Sequence, residues 1–415
     1  MLEKIYSVKN VGGYHKLYTI LGMKFKVFTN SICIDKEYKK FVDNLPVQNN
    51  KILFHSNTNS YSCNPKYIAE EILKRKLPYE LVWVVNNLNN KDSFPKEIKI
   101  VLKNTEEEKQ AYATSKIWVD NDRKEPDLLV YKKGEQVYIQ TWHGSLGIKK
   151  TGFERIGTSF VNDKIKLAHS LENSKIDYLI SNGAWDTSFL IRVFGTTAKL
   201  FEYGHPRNDI FFKNNDELKR ELYSLLNIKN NKKIILYAPT FRDDFNIDCY
   251  DINLVDVKKA LEKKFGEEYA VLVRLHPSLL SKNIAIDLND SQIIDVTTYP
   301  NMQELLSVTD VLITDYSSCI YDFILQKNKY GFIFATDSEN YDIGRGLQYP
   351  LSETPFPIAE TNKEMIENID KFNTSVYNEK VEKFLKEKGC IEDGMASSKV
   401  VNLIEQLVKK TVKNI

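Results

Sequence analysis

Short apolar runs rich in β-branched and aromatic residues recur along most of the chain, with amphipathic stretches between them. This alternation is typical of parallel sheets whose strands are joined by crossover helices. The runs form two series, separated by a polar segment rich in Lys and Asn at 204–232. The sequence therefore predicts an α/β protein with two doubly wound, Rossmann-like domains that face each other across a cleft.

The individual elements follow from the same pattern. The first series predicts strands near 51–55, 80–85, 116–120, 137–141, 176–181 and 199–203. The second series predicts strands near 233–238, 269–275, 292–296, 310–315 and 331–335. Helices are expected near 64–76, 216–226, 254–265, 301–308, 317–327 and 362–371. We expect Asn64 to cap the first of these helices, with Pro65 at its first position.

Domain boundaries follow from the position of the polar segment and of the two chain ends. We expect a basic leader at 1–30, an N-terminal domain at 31–205, a linker at 206–230, a C-terminal domain at 231–395 and an amphipathic helix at 396–415. At about 200 residues per domain, a chain of 415 residues has room for two such domains and not for a third.

Composition limits the classes of protein that the chain can belong to. The 58 Lys and Arg residues exceed the 56 Asp and Glu residues by only two, which argues against a dedicated nucleic-acid binder. The five cysteines include no C-x-x-C pair, which disfavours a zinc site and indicates a reducing compartment. The first residues contain no apolar signal core, and no apolar run is long enough to span a membrane. We therefore expect a cytoplasmic protein.

Three of the six histidines follow predicted strands, namely His143 in QTWHGSLG, His205 in EYGHPRND and His276 in VRLHPSL. A Gly or Pro after each histidine fixes the local backbone, and loops at strand ends commonly carry function. The sequence therefore predicts that these side chains face the cleft. Any one of them taken alone could equally be a packed or a surface histidine.

Two further segments offer groups that suit phosphate. Thr240 and Arg242 follow a strand in ILYAPTFRDD, where a planar guanidinium could meet phosphate oxygens. The alternative for Arg242 is a surface pair with Asp243 or Asp244. In VLITDYSSCIYDF a strand ends at Asp315, and Ser317 and Ser318 then open a predicted helix whose free N–H groups suit an anion. Ser317 could also serve simply as a helix cap.

Taken together, the segments TWHG, GHPRND, APTFRDD, RLHP and TDYSSCIYDF resemble the CDP-glycerol glycerophosphotransferases, which build teichoic acids and related polyol-phosphate polymers. The resemblance covers about residues 50 to 390. It implies a glycosyltransferase-B-like fold, with CDP-glycerol held mainly by the C-terminal domain and the acceptor approaching from the N-terminal domain. It also implies attachment to the inner face of the cell membrane.

The resemblance assigns roles to individual residues. His143 matches the general base that removes the proton from the acceptor hydroxyl, and His276 matches a histidine that contacts the donor phosphate. Arg207 and Arg242 match basic residues near the diphosphate. Ser317 and Ser318 match the hydroxyl and backbone groups that surround the diphosphate. Asp315 and Asp322 belong to the same motif, and the resemblance assigns them no definite role.

The implied reaction is the transfer of glycerol phosphate from CDP-glycerol to a hydroxyl of a lipid-linked glycan or polyol-phosphate polymer, with release of CMP. The alternatives are a CDP-ribitol-using transferase, a nucleotide-sugar glycosyltransferase, a UDP-sugar epimerase and a nucleotide-binding module without activity. No cofactor and no metal are expected, and no nucleic acid is expected as a partner. Although Asp120, Asn121 and Asp122 resemble a metal-binding Asp-x-Asp motif, we expect Asp120 to contribute with the loop 56–64 to the acceptor site.

Both chain ends carry positive charge. Residues 1–30 contain five lysines and one glutamate, and a strand at 24–28 would place Lys24 and Lys26 opposite Phe25 and Val27. A second basic patch comprises Lys399, Lys409, Lys410 and Lys413. Because basic residues are attracted to anionic lipid, these patches predict a peripheral protein at the inner membrane face. A solvated edge hairpin is the alternative for the leader.

Overall fold

The computed structural model describes residues 6–10, 15–20, 23–28, 36–58, 60–122, 132–154, 170, 173–242, 246–276 and 293–412. Within these residues the chain forms one small antiparallel sheet and two larger parallel sheets with helices around them. The predicted fold class, with two doubly wound α/β domains, is confirmed. The domain boundaries given above stay a prediction.

The small sheet lies at the start of the chain. Its strands are β1 (Tyr6–Asn10), β2 (His15–Ile20) and β3 (Met23–Phe28), paired as an antiparallel meander. Met23, Phe25 and Val27 share one face of β3, and their exposed fractions are 58%, 47% and 43%. The leader is therefore a three-stranded sheet with an apolar face open to solvent, rather than a two-stranded hairpin.

The first parallel sheet has seven strands. In chain order these are β4 (Gln48–His55), β5 (Glu80–Val85), β6 (Ile98–Leu102), β7 (Ser115–Asp120), β8 (Val137–Gln140), β9 (Tyr178–Ser181) and β10 (Lys199–Glu202). Their spatial order is β10-β9-β8-β7-β4-β5-β6. The sequence analysis missed β6, because this strand lies at the sheet edge and its apolar run IKIVL is interrupted by the exposed Lys99.

The second parallel sheet has six strands. They are β11 (Lys233–Tyr237), β12 (Tyr269–Val273), β13 (Ile293–Asp295), β14 (Val311–Thr314), β15 (Tyr330–Phe334) and β16 (Ile358–Ala359). Their spatial order is β13-β12-β11-β14-β15-β16. The central strands β11 and β14 are buried along their length except for Lys233, as expected of a parallel sheet covered on both faces.

Helices connect and cover the strands. They are α1 (Lys36–Asp43), α2 (Cys63–Lys74), α3 (Glu106–Thr114), α4 (Ala184–Phe194), α5 (Asp216–Leu225), α6 (Leu254–Phe265), α7 (Met302–Val308), α8 (Cys319–Phe323), α9 (Ser338–Gly344), α10 (Asn362–Asp370), α11 (Thr374–Glu387) and α12 (Ala396–Val412). None of the helices in the described ranges is both long and apolar enough to cross a membrane.

The prediction that Asn64 caps α2 is wrong. The helix begins at Cys63 and its N-cap residue is Ser62. The Asn64 amide instead donates hydrogen bonds to the carbonyl oxygens of Thr141 (3.1 Å) and Trp142 (2.8 Å). Its side-chain oxygen accepts a hydrogen bond from the backbone N–H of Arg207 (3.0 Å). Asn64 therefore ties three segments together, because burial requires every amide atom of such a side chain to find a partner.

Each parallel sheet has a point at which the strand order reverses. The first sheet grows from β4 through β5 to β6, and β7 then returns to the other side of β4. The second grows from β11 through β12 to β13, and β14 then returns to the other side of β11. Ligands of doubly wound sheets bind outside the carboxyl ends of the strands at such switch points. The fold therefore offers two places for ligands, one in each sheet.

The last helix packs on the first parallel sheet. Val400 and Ile404 of α12 are fully buried, in one apolar cluster with Ile52 of β4 and Val119 of β7. Helix α12 thus completes the core of the first domain. Lys399 and Lys409 of the predicted basic patch lie on this helix, and Lys413 lies outside the described residues.

Candidate functional site

A cavity of about 280 Å³ lies at the switch point between β11 and β14 and is closed on its other side by residues of the first domain. The described residues that line it are Asn57, Thr58, Ser62, Cys63, His143, Lys149, Arg207, Pro239, Thr240, Arg274, His276, Pro300, Met302, Gln303, Ser317, Ser318, Cys319 and Asp322. The cavity therefore brings together seven of the nine residues that the sequence analysis proposed for catalysis and donor binding, namely His143, His276, Arg207, Thr240, Ser317, Ser318 and Asp322. The two that do not line the cavity are Arg242 and Asp315.

His143 follows β8 and enters the cavity from the first domain. The preceding Trp142 has a φ of 54°, a left-handed conformation that is uncommon for a bulky residue, and its ring lies 4.0 Å from the His143 ring. Nδ1 of His143 is 2.5 Å from the carbonyl oxygen of Asn121. Because a carbonyl oxygen can only accept, Nδ1 carries the hydrogen and Nε2 is left as the basic nitrogen.

Burial lowers the pKa of His143 from its ordinary value of 6.5, with Asp122 opposing this change and Arg207 and Lys149 adding to it. The imidazole is therefore neutral at physiological pH. A neutral histidine whose Nε2 faces a cavity can accept a proton from a hydroxyl group.

His276 follows β12 and enters from the second domain. Its ring is stacked on Phe241 at a centroid distance of 4.8 Å. Burial, together with the positive charges of Lys149 and Arg274, lowers the pKa of His276 to about 4. His276 is therefore also neutral, and it suits hydrogen bonding to a ligand better than charge neutralisation.

Arg207 is buried in an ion pair. Its guanidinium donates to both carboxylate oxygens of Asp322, with Nε–Oδ2 and Nη2–Oδ1 distances of 3.1 Å each. Asp322 also accepts hydrogen bonds from Asn208 (3.0 Å) and Gln303 (3.2 Å). Burial acts to lower the pKa of Arg207, but Asp322 more than offsets it and the pKa is raised. This guanidinium is permanently charged, and its charge is largely compensated within the protein.

Arg242 lies behind the cavity wall and is also paired. It donates to both oxygens of Asp337 (2.7 and 2.9 Å) and to Oδ2 of Asp315 (2.9 Å). Its guanidinium carbon lies 5.0 and 5.1 Å from the ring centroids of Tyr316 and Tyr341. The alternative partners Asp243 and Asp244 lie outside the described residues. The arginine thus links the end of β11 to the ends of β14 and α9, and it does not line the cavity.

The loop between β14 and α8 forms the cavity floor. Asp315 accepts hydrogen bonds from the backbone N–H groups of Thr240 (2.8 Å) and Tyr316 (2.6 Å), so its carboxylate holds the two strand ends together. Ser317 and Ser318 line the cavity. The helix predicted at 317–327 is shorter than expected, since α8 comprises only five residues from Cys319 to Phe323. The loop therefore presents the two serine side chains to the cavity, followed by a single short turn of helix rather than the longer helix predicted.

Lys149 and Arg274 are cavity residues that the sequence analysis missed. The backbone of Lys149 forms an antiparallel bridge with Leu347, and burial with the nearby Arg345 lowers the pKa of Lys149 to about 8. Arg274 donates from Nη2 to the carbonyl oxygen of Tyr299 (3.1 Å), and its buried Nε has no hydrogen-bond partner among the described residues. Lys149 follows the WHG segment and Arg274 precedes the HP pair. Both residues could therefore have been selected from the sequence because they lie close to the two histidine motifs.

His205 does not line the cavity, contrary to the expectation that it faces the cleft. Its side chain is fully buried, with Nε2 3.2 Å from Oδ2 of Asp186. Its backbone N–H donates to both carboxylate oxygens of Glu392 (3.0 and 3.1 Å). Burial raises the pKa of Glu392 to about 7. His205 is therefore a packed histidine that connects β10 to the segment before α12.

Asp120 ends β7 beside the cavity. Its Oδ1 is 3.1 Å from Nδ1 of His55, which ends β4. The neighbouring Asn121 accepts a hydrogen bond at Oδ1 from the backbone N–H of Asn57 (2.9 Å). Over the described part of the chain, His, Cys, Asp and Glu side chains nowhere form a group of three or more that could hold a metal ion.

Comparison with known proteins identifies the family of the chain. The family model for CDP-glycerol:poly(glycerophosphate) glycerophosphotransferase matches residues 37–406. A teichoic acid poly(glycerol phosphate) polymerase of Bacillus subtilis (strain 168) is 32% identical over 401 residues, which are 94% of this chain and 52% of that protein. The chain thus spans about half the length of this relative. A polymerase of the same description from Bacillus spizizenii is 34% identical over 371 residues, covering 86% of this chain and 92% of that protein.

A solved structure of the wall teichoic acid polymerase TagF, a histidine variant soaked with CDPG, superposes with a TM-score of 0.79. It is 31% identical, and the match covers 91% of this chain and 93% of that chain. The resemblance found in the sequence motifs is confirmed by these matches. The chain therefore belongs to the CDP-glycerol:poly(glycerophosphate) glycerophosphotransferase family.

Proposed function

We propose that this protein transfers glycerol phosphate from CDP-glycerol to a hydroxyl of a lipid-linked glycan or of a polyol-phosphate polymer, with release of CMP. One observation carries the proposal. The cavity places His143 of the first domain opposite His276, Ser317 and Ser318 of the second. A histidine that could act as a base and groups that could bind phosphate thus line one cavity, which supports a phosphoryl transfer between two substrates.

In the proposed reaction the acceptor hydroxyl oxygen attacks the β-phosphorus of CDP-glycerol. A new phosphorus–oxygen bond forms to the acceptor, and the bond between the β-phosphorus and the bridging oxygen breaks. The bridging oxygen leaves with CMP, and Nε2 of His143 takes the proton of the hydroxyl. The hydrogen bond from Nδ1 to the Asn121 carbonyl holds the ring in the tautomer that this step needs.

Charge on the transferring phosphate has to be neutralised by groups that are not already compensated. Arg207 and Arg242 are each held by carboxylates, so we assign them to positioning of the cavity walls. We assign phosphate binding to Lys149, Arg274 and His276, with the hydroxyls of the β14–α8 loop. Lys149 and Arg274 line the cavity and have no ion pair with a carboxylate in the described part of the chain. Preorganised groups of this kind commonly supply much of the rate enhancement of phosphoryl transfer.

Attachment to the inner face of the membrane is part of the proposal. In the small sheet Tyr18 is paired with Phe25 and Ile20 with Met23, so these side chains share one face. Several of them are exposed, and the partly exposed Lys16 is paired with Val27 on the same face. An apolar face beside positive charge suits the surface of an anionic leaflet.

Flotation with anionic and with neutral liposomes tests membrane attachment. We expect more wild-type protein to float with anionic liposomes than with neutral ones. Equal recovery of wild type and of a variant with Met23 and Phe25 changed to Ser would contradict the attachment.

The activity is tested by identifying the nucleotide that is released. The protein is incubated with CDP-glycerol, CDP-ribitol or a UDP-sugar, together with a polyol-phosphate acceptor. We expect CMP from CDP-glycerol and a loss of about 10²- to 10⁴-fold in kcat for His143→Ala. His15→Ala, in β2 of the small sheet, is the matched control. Release of UDP instead would support a nucleotide-sugar glycosyltransferase, and no CMP from either CDP-polyol would overturn the proposal.

A further inference from the structure

The switch point of the first sheet carries a pair of side chains that the reaction described above does not use. His55 is the last residue of β4 and Asp120 is the last residue of β7, and the two are direct partners in the parallel register. Their side chains meet, with His55 Nδ1 3.1 Å from Asp120 Oδ1. The first domain thus presents a His–Asp pair where a doubly wound sheet binds ligands.

The pairing defines which hydrogen bonds the histidine can make. The Asp120 side chain is 2% exposed, and its Oδ1 also accepts a hydrogen bond from the backbone N–H of Asp122 (2.9 Å). A buried carboxylate accepts, so Nδ1 of His55 donates, and Nε2 is left as a hydrogen-bond acceptor. The His55 side chain is 19% exposed, and no described residue hydrogen bonds to its Nε2. His55 can therefore accept a hydrogen bond from a ligand.

The loop after β4 connects this pair to the donor cavity. Its hydroxyl groups are hydrogen-bonded in series, from Ser56 to Thr58 (3.0 Å), from Thr58 to Ser60 (2.8 Å) and from Ser60 to Ser62 (3.0 Å). Thr58 and Ser62 line the cavity. Asn121, beside Asp120 in sequence, accepts the hydrogen bond of His143. The buried hydroxyls thus hold the loop between His55 and the cavity, and a ligand bound at His55 would meet Thr58 and Ser62 where they line the cavity of the proposed base.

We propose that His55 and Asp120 form an acceptor subsite that binds a hydroxyl group of a polyol or sugar. The subsite rests on the proposed function, because it holds the substrate whose hydroxyl His143 deprotonates. Its chemistry favours a hydroxyl over a phosphate: it offers a lone pair of Nε2 and hydroxyl groups, whereas the cations Lys149 and Arg274 line the donor cavity. The polyol end of a growing polymer and the sugar of a lipid-linked glycan share this chemistry.

Steady-state kinetics with the full chain test the subsite. Two soluble acceptors are compared, a short oligo(glycerol phosphate) and an alkyl-linked disaccharide diphosphate, and the Kd for CDP-glycerol is measured by equilibrium dialysis. For His55→Phe we expect kcat/KM for one acceptor or both to fall about tenfold, as for a lost hydrogen bond to substrate, with an unchanged Kd for CDP-glycerol. The acceptor that loses more identifies the source of the hydroxyl.

Two further variants separate binding from folding. His55→Gln keeps a side-chain acceptor and should recover part of the lost kcat/KM, and Asp120→Asn removes the carboxylate that orients the ring and should lower the same parameter. Asn86→Ala, at the carboxyl end of the neighbouring strand β5, is the matched control and should change neither. Unchanged acceptor kinetics in His55→Phe, or an equal loss of CDP-glycerol affinity, would overturn the subsite. If His55→Phe does not fold, the other two variants decide by the same criteria.

The measurements distinguish an error in the proposed subsite from an error in the proposed function. If the wild-type chain releases no CMP from CDP-polyols, the reaction is wrong, and saturation-transfer NMR with the two acceptors then tests the subsite alone. A signal from wild type that His55→Phe abolishes would support the subsite. Equal signals from both proteins, or no signal from wild type, would overturn it.

Discussion

The proposed reaction needs two cavity side chains in different charge states: His143 must be neutral and Lys149 must be protonated. His143 acts as a base only when it is neutral, and burial lowers its pKa from 6.5, so the neutral form is present at lower pH than usual. Lys149 neutralises phosphate only when it is protonated. Since burial and Arg345 lower its pKa to about 8, its charge is lost as the pH rises through that value.

The two titrations predict a bell-shaped dependence of kcat/KM for CDP-glycerol on pH. Activity should rise through an acid limb below pH 6.5 and fall through an alkaline limb near pH 8. Bound diphosphate stabilises the protonated amine, so the alkaline limb of kcat should lie at higher pH than that of kcat/KM. Lys149→Arg, which stays charged, should move the alkaline limb upward; a limb that stays near pH 8 in this variant would contradict the assignment.

Residue identity alone did not show which arginines are available to a ligand. Arg207 and Arg242 stand in motifs that suit phosphate, yet their partners Asp322 and Asp337 lie 115 and 95 residues further along the chain. Such pairing is decided by which strand ends meet in the folded protein. By contrast, His143 and His276 could be selected from sequence, because a histidine before Gly or Pro at a strand end depends on local features.

At the scale of elements, the start of α4 lies in close contact with the segment that follows α11. Gly183 is the N-cap residue of α4, has a φ of 138° and pairs with Cys390 after α11. A Cβ atom at Gly183 would lie 1.9 Å from the carbonyl oxygen of Gly389. Because the obstructing atom belongs to the backbone, it cannot move aside as a flexible side chain can.

Gly183→Ala should therefore lower the free energy of unfolding by about 3 kcal/mol or more, from unfavourable φ and displacement of the backbone together. Urea denaturation followed by fluorescence measures this change. Gly134→Ala is the matched control, since no atom lies within 4 Å of its added Cβ, and it should change stability little. If the two variants had equal urea midpoints of unfolding, the close packing of the segment after α11 on α4 would be contradicted.

At the scale of the whole molecule, helix α12 and strands β4 and β7 share one core although they are far apart along the chain. Val400, Val401 and Ile404 of α12 are fully buried with residues of β4 and β7. Burying one such side chain contributes roughly 1.5–3 kcal/mol, and domains are stable by only about 5–15 kcal/mol in total. The first parallel sheet therefore depends on a helix that lies more than 270 residues after its strand β7 along the chain.

Deleting residues 396–415 should consequently unfold the first sheet. Hydrogen exchange of the β4 and β7 amides measures this, and we expect their protection to be lost in the truncated chain. A shorter deletion of residues 409–415 is the control, because Lys409 is exposed and the residues of α12 described as buried are kept. Protection of β4 that survives the longer deletion would contradict the role of α12.

The sequence by itself determined the local elements and the two-domain class. The helix at 254–265 has the bounds that its periodicity predicts, and the strands of both sheets lie close to their apolar runs. These features depend on neighbouring residues, and hydrophobic periodicity reports them directly. The family also followed from short motifs, because each motif is a contiguous segment.

Only the tertiary structure decided which side chains share a site. It placed Lys149 and Arg274 in the cavity, took Arg242 out of it, buried His205 and brought His55 to Asp120. Each of these outcomes depends on strand order and register, which join residues far apart in the chain. No periodicity within a segment carries that information, since register is set by packing and by pairing across the whole sheet.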